Sequence, residues 1–366
     1  MIATRTEHPF WMYDELLATP DALERALTPA DAEQAHRADL VRRLQAAKRI
    51  YLTGCGTAYH AALVGASLLG ALSDGKVHAR AVQAFELAHY EQPGPGLDDV
   101  LIALSHSGQP TATRAALERA RQGGAFCLTV TGNPQSYAAQ LADAVLDEGY
   151  AEVKSFAYTI SYSLMVALLA DLAGRLGAAL GTGMASAAAV AAIPAMHRAA
   201  LALDADVRAL AERLGEHGRW IVAGAGGNYA TALETSLKMQ ETSYVAAFGM
   251  QLEEVLHGPV AALGDSVLVV IAPPGAARTR AHDVLRAARL LGAPTVALGA
   301  AGDGELAEWA DSFLGLPECA EALSPAPYHV PLHLLTYWLS AGRGRNPDLM
   351  RREDARYLEA RRSYTL

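Results

Sequence analysis

The stretch Arg49-Ile50-Tyr51-Leu52-Thr53-Gly54-Cys55-Gly56-Thr57-Ala58-Tyr59-His60 runs an apolar segment into two glycines one residue apart. Ala61, Ala62, Leu63 and Leu68 then open a helical apolar pattern. This order predicts a short buried strand, a glycine turn and a helix N-terminus. That geometry turns backbone N–H groups toward an anion. Glycine lets the backbone approach such an anion with no Cβ in the way.

The phrase returns 170 residues further on, in Arg219-Trp220-Ile221-Val222-Ala223-Gly224-Ala225-Gly226-Gly227-Asn228-Tyr229. The arginine, both glycines and the tyrosine match, and Ala62 and Leu63 fall on Ala232 and Leu233. A second register supports the first. Asp99 to Gly108 lines up with Asp265 to Gly275 across a small gap, and Gly124-Ala125 matches Gly292-Ala293. Ordered matches at a nearly constant offset indicate two copies of one α/β domain.

The 366 residues give room for two domains, each with its own core. Half of them are hydrophobic, which suits a globular chain. A net charge of −9 argues against wrapping nucleic acid but does not exclude a small anionic ligand. Cys55, Cys127 and Cys319 lie far apart with no CxxC spacing. No zinc site is expected, and the pattern suits a reducing cytoplasm. The segment Met1 to Pro9 has no apolar signal core. The alanine-rich stretch from Ala185 to Leu203 is interrupted by Pro194, His197 and Arg198, so a buried or inter-domain helix is expected there, not a membrane span.

Taken in order, residues 8–48 read as helical. The first domain then alternates strands at 50–53, 77–82, 99–104, 126–130 and 143–146 with helices at 57–72, 83–90, 111–122 and 134–142. A closing helix is expected from Ser155 to Leu176, a hinge at Gly181-Thr182-Gly183, and one helix from Ala187 to Leu214. The second domain should have strands near 219–223, 266–271, 294–298 and 312–315, with helices at 229–241, 277–290 and 329–341. Such alternation implies α/β domains, each a doubly wound, mostly parallel five-stranded sheet flanked by helices. The Arg-rich tail after Arg343 either frays or docks through Tyr357, Leu358 and Tyr364.

Two clusters could carry chemistry. Ser105, Ser107 and Thr111 follow a strand and precede a helix, in the crevice that Thr57 would share in a doubly wound sheet. Hydroxyls beside a helix N-terminus suit a phosphate monoester held by neutral donors. Plain helix capping explains the same residues. The matching loop, Ala272-Pro273-Pro274-Gly275, has no hydroxyl, so only the first domain is expected to hold phosphate. In the second domain, Lys238 and Glu241 share a helix face, as do Glu254 and His257 before Gly258-Pro259. A carboxylate and an imidazole near a sugar could move protons between carbon and oxygen. A surface ion pair and a helix-terminal histidine would look the same, and for Lys238 that plainer account reads better.

Motif by motif, the chain resembles the tandem sugar isomerase (SIS) domain family. Gly54 to Ala62 resembles GCGTSYHAA, and Ser105-His106-Ser107-Gly108 resembles SQSGET. Ala232 to Glu241 resembles ALEGALKLKE, Glu254 to Pro259 resembles ELKHGP, and Met12 to Pro20 resembles MxxEIxxQP. The resemblance extends over nearly the whole chain and reaches the isomerase half of glucosamine-6-phosphate synthase, fructosamine-6-phosphate deglycases and amino-sugar-phosphate deaminases. It implies a helical segment at 1–48, a phosphosugar-binding domain at 49–180, a linker helix and catalytic domain at 181–342, and a tail at 343–366. It also implies that Gly56, Thr57, Ser105, His106, Ser107, Thr111 and Ser155 bind a phosphosugar. Glu241 would shuttle a proton between C1 and C2, Lys238 would support an enediol-type intermediate, and His257 beside Glu254 would assist ring opening. The family's sites often lie at a homodimer interface, which His257 can cross. No cofactor, metal, nucleic acid or membrane partner is implied.

Departures from the family pattern shape the expectation. Ala58 stands where a phosphate-binding serine is usual, His106 replaces glutamine, and Pro110 replaces a loop threonine that Thr111 could substitute. Ser155 rests on a loose match of Glu152 to Phe156 with VASTKAF. Arg362 falls near the family's tail lysine, and an arginine cannot become a neutral amine. With no glutaminase domain or N-terminal nucleophilic cysteine in view, the chain is not expected to take ammonia from glutamine by itself. The expected function is isomerisation coupled to deamination or deglycation of a ketose or amino-sugar 6-phosphate. The alternatives are a glutamine-independent aminotransferase/isomerase, a non-catalytic phosphosugar sensor and, last, a dinucleotide oxidoreductase, because Tyr59 occupies the third glycine position.

Overall fold

The structure, a computed structural model, describes residues 4–183 and 187–365. The first residues of the N-terminal segment, the start of the alanine-rich stretch and the last residue of the tail fall outside these.

Among the described residues, ten strands form two sheets. The first holds β1 (Arg49–Thr53), β2 (Ala79–Ala81), β3 (Asp99–Leu104), β4 (Phe126–Thr131) and β5 (Ala144–Asp147) in the order β2-β1-β3-β4-β5. The second holds β6 (Arg219–Gly224), β7 (Ala246–Gln251), β8 (Val267–Ile271), β9 (Thr295–Ala300) and β10 (Ser312–Leu316) in the order β10-β9-β8-β6-β7. Every pairing is parallel. Read from β2 and from β7, the two orders are the same. The internal repeat is therefore a repeat of topology.

Central strands are apolar on both faces because helices cover both. All six residues of β3 and all five of β8 are buried. In the second sheet, Trp220, Val222, Val267 and Val269 pack into one core, and the alternate residues Ile221, Ala223, Leu268 and Val270 into another. In the first, Tyr51, Leu101, Ala103 and Cys127 pack with Leu117 of the helix Thr111–Gln122.

The chain divides into two compact units. One comprises residues up to Pro20, Lys154–Thr159 and Ile193–Met350; the other comprises Asp21–Val153, Ile160–Ala192 and the residues from Arg351 onward. The N-terminal region is two helices, Trp11–Leu27 and Asp31–Ala46. Phe10, Met12 and Leu16 join the core of the second sheet. In the other unit, Arg37 is buried and binds Asp171 at 2.9 Å.

Three elements differ from the sequence reading. The single helix expected from Ala187 to Leu214 is three helices, Ala187–Ala191, Ile193–Leu201 and Asp204–Leu214, with a 51° bend before the last. Asp204 starts the last helix, where a carboxylate is favoured, and accepts hydrogen bonds from Tyr13 and Trp338. The edge strand β7 is an addition. Its Gly249 lies against the helix Gly227–Lys238, where a Cβ would sit 2.6 Å from Leu233 Cα. The tail forms a helix, Ala355–Arg362, with no buried residue. Tyr357, Leu358 and Tyr364 stay 40%, 37% and 50% exposed instead of docking. Among the described residues one helix, Thr159–Ala179, is long and apolar enough to cross a membrane, and 94% of its apolar window is buried.

Candidate functional site

In the first sheet, β1 and β3 are neighbours at the point where the strand order reverses, and ligands of open α/β sheets bind outside the C-terminal strand ends at such a point. Gly56 leaves β1 with φ 54° and ψ −127°, a conformation open to glycine, and Thr57 begins the helix Thr57–Leu72. Ser105, His106 and Ser107 follow β3, and Thr111 begins the next helix. The topology thus gathers Gly56, Thr57, Ser105, His106, Ser107 and Thr111 at one end of one sheet. The buried Ser105 Oγ accepts the Gly108 N–H at 3.1 Å, and Ser107 Oγ accepts the Gln109 N–H at 3.3 Å. These are turn-capping bonds, in line with the plainer reading of the sequence. A hydroxyl that accepts such a bond still has its own O–H to donate.

A carboxylate missing from the sequence reading lies behind this loop. Glu148, just past β5 and fully buried, places Oε2 2.9 Å from Nδ1 of His106. Burial raises its pKa above the usual carboxylate range, with the His106 bond opposing. Nothing in the local pattern around Glu148 announces this partner. Burial also pushes the Cys55 thiol up, which leaves it a poor thiolate.

Ser155 lies in the other compact unit. It belongs to the unit of the second sheet, where its N–H donates to Glu15 Oε1 at 3.3 Å. Its hydroxyl accepts the Ala157 N–H at 3.3 Å and bonds Asp348, whose carboxylate also takes the Trp11 and Met12 N–H groups. These bonds tie chain segments together.

In the second domain the surface-pair account of Lys238 is overturned. Lys238 has no exposed surface. Its ammonium donates to Glu241 Oε2 at 2.5 Å and lies 3.5 Å from Oε1 of the buried Glu234. Burial alone would lower the Lys238 pKa, but the two carboxylates outweigh it and raise it, so the amine stays charged. The α-helix ends at Lys238, and a π-turn, Met239–Ser243, carries Glu241. Such turns are frequent at functional sites. The Glu241 side chain keeps 17% of its surface exposed.

Behind this cluster lies a row of buried histidines. His333 on the helix Pro325–Gly342 is 4.0 Å from Glu234. The His333 and His329 rings are 4.9 Å apart, and those of His329 and His197 are 5.2 Å apart. Burial holds all three below the ordinary histidine value, His329 at about 4.

Glu254 and His257 are not a pair. His257 leaves the short 3₁₀ turn Glu253–Leu256 in a non-helical conformation and bonds Glu253 instead, with Nε2 3.0 Å from Oε1, and Arg280 holds the other oxygen of that carboxylate at 2.6 Å. Both Glu254 and His257 are exposed. Next to the second sheet's glycine turn, at the position equivalent to Ala58, Asn228 is buried and donates to Ser324 at 2.7 Å. A cavity of about 510 Å³ near Pro274 and Asp303 includes Arg278, which is already tied to Asp303 and Glu305.

Two copies of one fold with glycine turns at equivalent strand ends match the SIS domain at residues 43–173 and 214–343. The chain belongs to the SIS domain family. This SIS chain is 32% identical over 354 residues to a glutamine–fructose-6-phosphate aminotransferase (isomerizing) of Pyrococcus horikoshii, covering 95% of the chain and 57% of the relative. A Thermococcus kodakarensis protein of the same name is 31% identical over 356 residues, 95% of the chain and 58% of the relative. The SIS chain thus spans little more than half the length of these relatives. Among solved structures, the C-terminal domain of a Francisella tularensis glucosamine-fructose-6-phosphate aminotransferase superposes with a TM-score of 0.83 at 20% identity, covering 94% and 99% of the two chains. An Escherichia coli tagatose-6-phosphate ketose/aldose isomerase gives 0.80 at 21%, covering 95% and 96%. A Thermotoga maritima glucosamine-6-phosphate deaminase gives 0.71 at 18%, covering 93% and 97%. At these identities the structural likeness speaks for the fold.

Proposed function

We propose that this SIS protein is a phosphosugar isomerase that moves a proton between C1 and C2 of a ketose or amino-sugar 6-phosphate, coupled to deamination or deglycation. The observation that carries the reading is the buried Lys238 between Glu234 and Glu241. Burying charges costs several kcal/mol per ion before pairing. The fold does not require them, because the first domain sets Val64 and Leu68, both buried, at the positions equivalent to Glu234 and Lys238. A charged cluster that the fold can do without points to chemistry.

The roles follow from the groups. Glu241, partly exposed, is the base that takes the C–H proton. Lys238, kept charged by its two carboxylates, stabilises the oxyanion of the enediol as it forms. Thr57, Ser105, His106 and Ser107 hold the phosphate, with Gly56 giving the backbone its approach and Thr111 opening the next helix. His257 assists ring opening, acting across a homodimer interface, and Glu254 lies three residues before it. The names of the relatives, which include a ketose/aldose isomerase and a deaminase, are in keeping with this class.

The test is proton NMR in D2O with fructose 6-phosphate, glucosamine 6-phosphate, galactosamine 6-phosphate and fructosamine 6-phosphates. Loss of a C1 or C2 proton signal is expected for one of them. Glu241→Gln should slow it about 10²–10⁴-fold. Exchange undiminished in that variant would remove Glu241 from the mechanism. Binding without exchange across the panel would favour a phosphosugar sensor, and Arg362 near the family's tail lysine weighs against the synthase reaction. The names of the sequence relatives favour a further reading, an aminotransferase/isomerase that receives its amine from elsewhere.

A further inference from the structure

The first domain's loop differs from the family pattern at His106, and the structure gives that residue a partner that a glutamine would not need. Nδ1 of His106 lies 2.9 Å from Oε2 of Glu148, and the Glu148 side chain is fully buried. Its other oxygen, Oε1, is buried without a hydrogen-bond partner in good geometry, although the Ser161 hydroxyl is near enough to influence it. The ring sits on Gly132, where a Cβ would come within 2.3 Å of the imidazole. The His106 carbonyl is held by the Thr131 hydroxyl at 3.0 Å and the Gly132 N–H at 3.1 Å. Backbone and ring are both fixed, and 12% of the side chain stays exposed.

We infer that Glu148 is a positioning residue for anion capture, and that it makes the capture proton-coupled by sharing a proton with His106. This rests on the phosphosugar reading of the same loop. The proton count decides what the ring can do. With one proton, Nδ1–H donates to the carboxylate, the pair carries a charge of −1, and Nε2 presents a lone pair that repels a phosphate oxygen. With two protons the pair is neutral, whichever side of the short bond holds the bridging one, and Nε2 carries an N–H that donates. Binding a phosphate dianion therefore draws the second proton from solvent and places it on Nε2. Nothing else is consumed or released.

Several groups bear on this pair. β5 brings Asp147, whose charge works against a second charge on Glu148. The helical segment from Ile160 brings the Ser161 hydroxyl, and the end of β4 brings Thr131 and Gly132. A glutamine in place of His106 would donate through its amide at any pH. This chain has instead a donor that exists only when protonated.

The experiment is calorimetric titration of the full chain with fructose 6-phosphate in Tris and in HEPES, whose ionisation enthalpies differ. It is run above about pH 7, where the sugar phosphate is already dianionic because its second pKa is near 6. The expected result is uptake of about one proton per site, with affinity falling about tenfold per pH unit as pH rises. His106→Gln and Glu148→Gln should each bind with that uptake lost and with affinity nearly flat over the same range. Wild-type binding with the same heat in both buffers, or variants with undiminished uptake, would overturn the inference and leave the phosphosugar reading standing. No binding of any sugar phosphate by the wild-type chain would overturn both.

Discussion

The turns at 54–57 and 224–227 have almost the same backbone and very different surroundings. Gly56 has φ 54° and ψ −127°, and Gly226 has φ 53° and ψ −133°. A Cβ on Gly54 would lie 2.8 Å from the Ala58 carbonyl carbon, and one on Gly224 would lie 2.3 Å from the Asn228 carbonyl oxygen. The first turn leads to a helix with Val64 and Leu68 at its buried positions and faces a loop of hydroxyls with a histidine. The second leads to a helix with Glu234 and Lys238 and faces Ala272-Pro273-Pro274. Steric demands on the backbone kept the turns alike. Side chains beyond the turns were under no such demand, and they differ between the copies: hydroxyls and a histidine follow the strand in one, and a charged cluster is buried in the other.

The largest effect is expected from breaking the charged cluster on one side only. Lys238→Ala leaves two carboxylates without their cation, one of them fully buried. It should destabilise the second unit by about 3–5 kcal/mol, read by urea denaturation. Converting the cluster to its counterpart sharpens the comparison. The double variant Glu234→Val with Lys238→Leu should be as stable as the parent or more so by about 1–4 kcal/mol, yet show no proton exchange with any phosphosugar. A double variant as unstable as Lys238→Ala would mean that the cluster serves the fold.

Acid should separate the two domains next. His197, His329 and His333 are held neutral by burial in the folded state, whereas an unfolded histidine takes a proton below about pH 6.5. Their folded pKa values are depressed, so the stability they contribute is present above about pH 6.5 and drains away as pH falls toward the folded value. For His329, whose value is about 4, the loss is on the order of 3 kcal/mol. Glu148 in the first domain works the other way. Its raised value favours the fold at low pH and ceases to help as pH rises through it. Hydrogen exchange followed from pH 7 to 4 should show the second sheet losing protection ahead of the first. Simultaneous loss would mean that the histidine row does not set the order.

The smallest effect should be the most symmetrical. Gly56→Ala and Gly226→Ala force the same torsions on a side chain, and each should cost about 1–3 kcal/mol in thermal unfolding. Only Gly56→Ala should also weaken phosphosugar binding. If both variants weaken it, the second turn takes part in binding as well.

Much of the fold is legible in the amino-acid order. The strands 99–104 and 266–271 are continuous apolar runs because helices cover both faces of a parallel sheet, and the sequence marks them almost to the residue. The edge strand Ala246–Gln251 is hard to read because half-exposed, mixed residues carry no clear period, and its mark is a single glycine under a helix. The 187–214 segment reads as one helix because its break falls at an aspartate whose partners, Tyr13 and Trp338, are remote in sequence. The polar residues of the site are visible by motif, but their partners are not. His257 binds Glu253 and not Glu254, because it leaves the 3₁₀ turn with φ −97° and ψ 52°, a non-helical conformation.

The sequence by itself determined two α/β copies, the glycine turns at their switch points and the loss of hydroxyls from the second loop. These depend on local backbone sterics and on runs of apolar residues, which are written in order along the chain. Only the tertiary structure decided that Lys238 is buried, that Glu148 stands behind His106 and that three histidines line up behind Glu234. A lysine and a glutamate three residues apart look the same on a wet helix and in a core. The difference is made by what packs over them, here the helix Pro325–Gly342, which is distant in sequence.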